Sequence, residues 1–145
     1  MNAEVHELVR RWVIKAENDL KAGLAILQAA QPPTDMVCFH MQQCVEKYLK
    51  AYLTLHQKPF RRTHVLAELI EQCRELDPGF DTLYAFQADA LSLYGVEVRY
   101  ADDFYLPTLE EAEQSVKIAQ TVRSFVRDKL AQSGCDPEKA SSVPA

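Results

Sequence analysis

The sequence predicts an all-α protein, an up-and-down antiparallel bundle of about five helices. Three observations carry that prediction. Apolar residues recur at spacings of three and four along most of its 145 residues. Proline-, glycine- and aspartate-containing breaks cut the chain into segments of helical length joined by short loops. No segment alternates convincingly enough for a sheet, and no internal repeat is visible. A hydrophobic fraction of 48% is ample for one core, and the length fits one domain.

The first helix is expected over residues 3–30, because Val9, Trp12, Ala16, Leu20, Gly23 and Leu27 form one stripe. Gln31-Pro32-Pro33 stops it. Thr34 or Asp35 then caps a second helix that runs to about His56. The span 58–62 reads as a loop. Thr63 reads as the N-cap of a shorter third helix with Leu66, Leu69, Ile70 and Cys73 inward. Asp77-Pro78-Gly79-Phe80 is a turn signal. A fourth helix is expected from Asp81 to Gly95, packing Leu83, Phe86, Ala90, Leu91 and Tyr94. Residues 96–105 read as either a strand-like stretch (Val96, Val98 and Tyr100 alternate) or an irregular loop. Thr108-Leu109-Glu110-Glu111 is a capping box, the clearest helix start in the chain. The fifth helix follows, with Ala112, Val116, Ala119, Val122, Val126 and Leu130 on its stripe. The bundle is thus expected over residues 1–132, and 133–145 as a flexible tail.

The second helix carries the functional interest. Cys38, Met41, Cys44, Val45, Tyr48, Leu49, Tyr52, Leu53 and Leu55 share one side; His40, Gln43, Glu46, Lys47, Lys50 and Thr54 fall on the other. Gln42 lies among the apolar group, so its amide needs a partner on another helix or across a dimer. His40, Gln43 and Lys47 follow at i, i+3 and i+7, which reads as a ligand-facing imidazole or as a hydrogen-bonded surface histidine. Glu46, Lys47 and Lys50 read as a phosphate-binding group or as a solvated face, with Glu46–Lys50 an i, i+4 ion pair. His64, beside its cap, reads as structural.

The net charge of −5 and a pI near 5.4 oppose a general nucleic-acid surface, so any nucleotide or RNA contact needs a local basic patch, for which Lys47, Lys50, Lys58, Arg61 and Arg62 are candidates. No apolar run of about 18 residues exists to span a membrane, and the first 11 residues lack a signal-peptide core. The four cysteines, 38, 44, 73 and 135, have no metal or disulfide spacing and read as reduced thiols of a cytoplasmic protein. No ligand spacing for a metal, no nucleophile elbow and no glycine-rich phosphate loop appears, so neither metal nor cofactor is expected.

The order Trp12…Ala16…Asp19-Leu20, then Phe39-His40-x-Gln42-Gln43-x-x-Glu46-Lys47-x-Leu49-Lys50-Ala51, then Arg62-Thr63-His64-x-Leu66, then Arg99-Tyr100, resembles a HEPN domain over residues 9–130. The resemblance implies a helical bundle, usually a homodimer, often paired with a minimal nucleotidyltransferase in toxin–antitoxin-like systems. Some members are ribonucleases; others bind nucleotides without cleaving RNA. The resemblance also implies ligand-binding roles for Arg99, His40, Gln43, Lys47, Lys50, His64 and Tyr100, with Arg99 catalytic if the protein is a ribonuclease. Active members follow that arginine, after four to six intervening residues, with a histidine; the positions where it would fall here are Phe104, Tyr105 and Leu106, and no histidine follows His64. The expectation is a nucleotide-binding protein with a degenerate ribonuclease motif. The alternatives are a metal-independent ribonuclease using Arg99 with a displaced base, His40 or His64, and a purely structural dimerisation module. Arg99 has a structural reading too, an ion pair with Asp102, Asp103 or Glu46. Tyr105 lies near, but out of register with, a tyrosine that partners modify in some members. Phe39, Tyr100, Phe104 and Tyr105 leave enough apolar surface to suggest a two-fold dimer.

Overall fold

The stripe Val5, Val9, Val13, Ala16, Leu20 and Gly23 is the buried edge of a 25-residue helix, α1 (Ala3–Leu27), in the computed structural model, which describes residues 3–95 and 104–138. The helix stops three residues short of the expected 30. Its last carbonyls are taken by tighter bonds, Gln28 N to Ala25 O at 3.2 Å and Ala29 N to Ile26 O at 3.1 Å. Gly23 makes room for the second helix to pack closely, since a Cβ there would stand 2.1 Å from Met41 Cε.

The second helix, α2 (Thr34–Leu55), is the hub. Fourteen of its 22 residues are buried, and they include Gln42, as its place among the apolar residues required, and Glu46 and Lys50 from the face expected to be polar. That face is covered because α2 packs on α1 along one side, on the fifth helix along another and on the third helix along a third. Neither Thr34 nor Asp35 caps it. Pro33 occupies the N-cap position, and the Thr34 hydroxyl instead donates to Pro107 O at 2.7 Å, tying the start of α2 to the approach of the last helix.

Residues 56–65 form no helix but run back along α2. Lys58 pairs with Glu75, Phe60 packs edge-on to Trp12 at 6.0 Å, and His64 O meets Gln42. Helix α3 (Leu66–Leu76) then runs in the direction of α2, with Cys73 Sγ against Leu49 O, and buries Leu66, Leu69, Ile70 and Cys73 as expected. Thr63 is not its cap. Val65 holds that position, Thr63 Oγ1 accepts from Val65 N at 3.0 Å, and the first helical donor, Leu66 N, is satisfied from a distance by Ser92 Oγ at 2.8 Å.

The expected fourth helix is replaced by a broken return stroke: a 3₁₀ turn at Pro78–Asp81, a single α turn, α4 (Thr82–Ala85), and a 3₁₀ segment at Ala88–Tyr94. Gln87, at φ 60°, sits in the left-handed region between the last two. The buried residues of the last segment, Ala88, Leu91 and Tyr94, are spaced by three, the period of a 3₁₀ helix. Phe86 and Ala90, expected inside, are exposed. Gly95 ends the segment with an extended backbone. Residues 96–103, with their two alternative readings, lie outside the described residues.

Helix α5 (Leu109–Gln132) starts at the expected capping box, Glu111 N donating to Thr108 Oγ1 at 3.1 Å and Thr108 N to Glu111 Oε1 at 3.4 Å. It runs parallel to α2 and antiparallel to α1. The chain beyond it is not free up to Glu138. Gly134, at φ 80°, closes a Schellman motif, with Gly134 N to Ala131 O and Cys135 N to Leu130 O, and Cys135 is fully buried. The bundle thus alternates up and down, with two of its upward strokes irregular. Among the described residues there is no strand, and no helix is long and apolar enough to cross a membrane. All four cysteines are buried and none forms a disulfide, and burial pushes the Cys44 and Cys73 thiols up, which keeps them unreactive.

Candidate functional site

Three carboxylates organise the polar side chains around α2. Glu46, one turn from Gln42 and from Lys50 on the same helix, is 3% exposed. Its Oε1 accepts from Gln42 Nε2 at 3.1 Å and faces His64 Nδ1 at 2.8 Å, while Oε2 accepts from Lys50 Nζ at 2.9 Å. Burial pushes the Glu46 carboxyl up, but the hydrogen bonds from Lys50, His64 and Gln42 outweigh it and hold the group below the usual range. Lys50 Nζ also lies 5.6 Å from the Trp12 ring centre and 5.5 Å from that of Phe60, a desolvated cation between two aromatic rings. Gln42 finds its partners on its own helix and in the strand of chain before α3. Its Nε2 also donates to His64 O at 3.3 Å, and its Oε1 accepts from Gln43 Nε2 at 2.7 Å.

Asp19 on α1 gathers His40 and Lys47. His40 Nδ1 lies 2.9 Å from Oδ1, and Lys47 Nζ donates to Oδ2. The i, i+7 spacing therefore serves a clamp between α1 and α2. Glu17, two residues earlier, accepts from Tyr48 OH at 2.6 Å and Arg123 Nε at 2.8 Å, which joins α1, α2 and α5. Burial raises the Glu17 carboxyl, and the bonds from Arg123 and Tyr48 more than reverse that.

Of the ligand-binding candidates, the structure brings His64, Gln43 and Lys50 to the Glu46 cluster, and His40 and Lys47 to Asp19. Lys50 was expected on an exposed polar face and is instead enclosed. Arg99 and Tyr100 lie outside the described residues. The chain that leads to them departs from the Glu46 cluster: a Cβ on Gly95 would stand 3.6 Å from His64 Cβ and 3.9 Å from Gln42 Cδ. Where it returns, Phe104, Tyr105 and Leu106 are exposed by 79%, 45% and 56%. Tyr105 OH and Tyr94 OH both donate to Glu111, the latter at 2.7 Å. The bond to Glu111 raises the Tyr105 phenol, whereas for Tyr94 burial comes first and the same carboxylate second.

Chemically, the cluster holds one oriented imidazole. With Nδ1–H donating to Glu46, His64 carries its lone pair on Nε2, the arrangement of a base and its orienting carboxylate. Sequence reasoning named Asp19 only as part of the family motif and did not single out the acceptor Glu17 or the donors Arg123 and Arg127. Their only signal was a charged residue interrupting the buried edge of a helix.

A five-helix all-α bundle whose central helix is held by buried carboxylate hubs defines the class of protein. The HEPN domain model matches residues 9–129, and the chain belongs to the HEPN family. It is also similar to a Methanocaldococcus jannaschii protein named "Putative toxin MJ1304", 28% identical over 132 residues that cover 82% of this chain and 86% of that protein. No solved structure matches it.

Proposed function

We propose that this chain is the HEPN component of a toxin–antitoxin-like pair. In this reading it is a cytoplasmic homodimer that binds a nucleotide, works with a minimal nucleotidyltransferase and lacks robust ribonuclease activity. The observation that carries the reading is the Glu46–His64–Gln42 cluster lying against Gly95, four residues before Arg99, with no imidazole at 104–106. Family membership and the toxin-named relative support it. Arg99 would hold phosphate through its planar fork of donors, with Tyr100, His64 and Gln43 beside it. The test is calorimetry of a nucleotide panel against wild type and Arg99→Ala, with RNA cleavage followed in parallel. Binding lost in the variant without cleavage supports the reading, and cleavage that disappears with Arg99 overturns it.

One observation favours a second reading, a metal-independent ribonuclease: the 2.8 Å contact that orients His64 toward base chemistry. His40 has the same kind of contact, Nδ1 to Asp19, but it is His64 that lies against Gly95, where the chain leaves toward Arg99. In this reading both His64→Asn and Arg99→Ala abolish cleavage, and His40→Asn spares it. The exposed Phe104, Tyr105, Leu106 and Leu109 favour self-association. A strict monomer at about 10–50 µM, a range that detects micromolar association, counts against the dimer. A dimer with no nucleotide affinity in any variant leaves the module purely structural.

A further inference from the structure

The cations of the second helix are spoken for: His40 and Lys47 by Asp19, and Lys50 by Glu46. A different set of cations surrounds a cavity of about 290 Å³ between α1, α5 and the chain just beyond α5, lined in part by Arg10, Ile14, Lys21, Arg127 and Glu138. Arg10 is engaged by Glu7 at 2.8 and 2.9 Å. Glu17, on the cavity wall, is neutralised by Arg123 at 2.8 Å. Arg127 keeps only a long contact to that carboxylate, Nη1 to Glu17 Oε1 at 4.0 Å, and turns its other nitrogen into the cavity, while Lys21 makes no ion pair among the described residues.

An anion already sits there. Arg127 Nη2 donates to Glu138 Oε1 at 2.6 Å, and its Nη1 donates to Tyr48 OH at 3.2 Å, so the guanidinium is aimed from a hydroxyl anchor. The Arg127 side chain is 19% exposed and that of Glu138 is 76% exposed. A pair so wetted on its acidic side contributes little, and a stronger anion displaces it at small cost.

We propose that this cavity is a binding site for a phosphate monoester, with Glu138 standing in for the phosphate when the site is empty of ligand. A phosphate dianion brings more charge and more acceptor oxygens than a carboxylate, and suits a forked guanidinium with an unpaired ammonium nearby. The cavity exceeds what inorganic phosphate needs, and its apolar wall of Val13, Ile14 and Pro137 offers a surface for the group esterified to the phosphate. The site shares no residue with the Arg99 reading and stands without it.

Titration calorimetry at low salt, with AMP and inorganic phosphate as probes, tests the site in wild type and in Glu138→Gln, Lys21→Ala, Arg127→Lys and Arg99→Ala. Removing the competing carboxylate in Glu138→Gln is expected to tighten AMP about two- to fivefold. Lys21→Ala and Arg127→Lys are each expected to weaken AMP about tenfold, the scale of one charge-assisted contact. Arg99→Ala leaves this component unchanged, and AMP binds more tightly than inorganic phosphate. AMP affinity indifferent to Glu138, or to both Lys21 and Arg127, overturns the site. Equal affinity for AMP and inorganic phosphate overturns the monoester assignment. Glu138 and Lys21 sit at the surface and Arg127→Lys keeps its charge, and circular dichroism confirms that every variant is folded before its affinity is read.

Discussion

Glu46 and Glu138 make the same kind of bond and do opposite things. Each accepts from a cation at under 3 Å, Glu46 from Lys50 at 2.9 Å and Glu138 from Arg127 at 2.6 Å. The Glu46 side chain is 5% exposed and also receives Gln42 and His64; that of Glu138 is 76% exposed. In the first case three donors from inside the protein meet the carboxylate, and His64 among them ties α2 to the return chain before α3. In the second, water competes at every moment, and the pair is exchangeable. The shared lesson is that contact distance does not rank ion pairs; the solvent around them does.

The largest break in this contrast is Glu46→Ala. It strands Lys50 without its acceptor and removes one of the two acceptors of the Gln42 amide, and a loss of about 3–5 kcal/mol is expected, read by denaturant unfolding. Acid probes the same group. The folded-state pKa of Glu46 lies below its unfolded value, so its stabilisation is complete above the ordinary carboxylate range near 4.5 and is lost as pH falls through the depressed folded value. Thermal unfolding from pH 7 to 3 is expected to show that decline, and Glu46→Gln to flatten it. Tyr48→Phe comes next. It removes a hydroxyl that donates to Glu17 and accepts from Arg127, at about 1.5–3 kcal/mol for a bond to a charged acceptor, measured in the same way. Thr108→Ala removes half of the capping box and is expected to cost about 1 kcal/mol. Glu138→Gln is the smallest, within about 0.5 kcal/mol, and a loss of several kcal/mol there would erase the contrast.

How much was legible divides by the range of the forces involved. The α5 start was readable because a capping box is local: Thr108 and Glu111 satisfy each other within one turn. The stripes of α1, α3 and α5 were readable because one covered face imposes one period. Thr63 misled, since its hydroxyl is locally suited to a cap, yet the first donor of α3 is met by Ser92, 26 residues away. The fourth helix misled for a related reason. Ala88, Leu91 and Tyr94 fit three residues per turn as well as 3.6, and Gln87 has no side chain that announces a left-handed backbone. Gly134 did carry a readable signal, a glycine just past a helix end, and the Schellman motif it closes buries Cys135.

The candidate site shows the same division. Gln42, Glu46, Lys50 and His64 were all noticed on the chain, and the Glu46–Lys50 pair followed from i, i+4 spacing. The face of α2 that carries Glu46 and Lys50 was expected to be open, to phosphate or to solvent, and it is covered. An amphipathic pattern tells which side of a helix must be covered, but it cannot tell that the other side is covered as well when the helix is the hub of its bundle. The all-α class, the family motifs, the α5 cap and the missing histidine after Arg99 were determined by residue identity and short spacing alone. The burial of Glu46 and Lys50, the capture of His40 and Lys47 by Asp19, and the Arg127 cavity were decided only by the tertiary structure. Each depends on partners from α1, α5 or the return chain, and solvent exclusion by those partners is what turns a surface charge into a structural one.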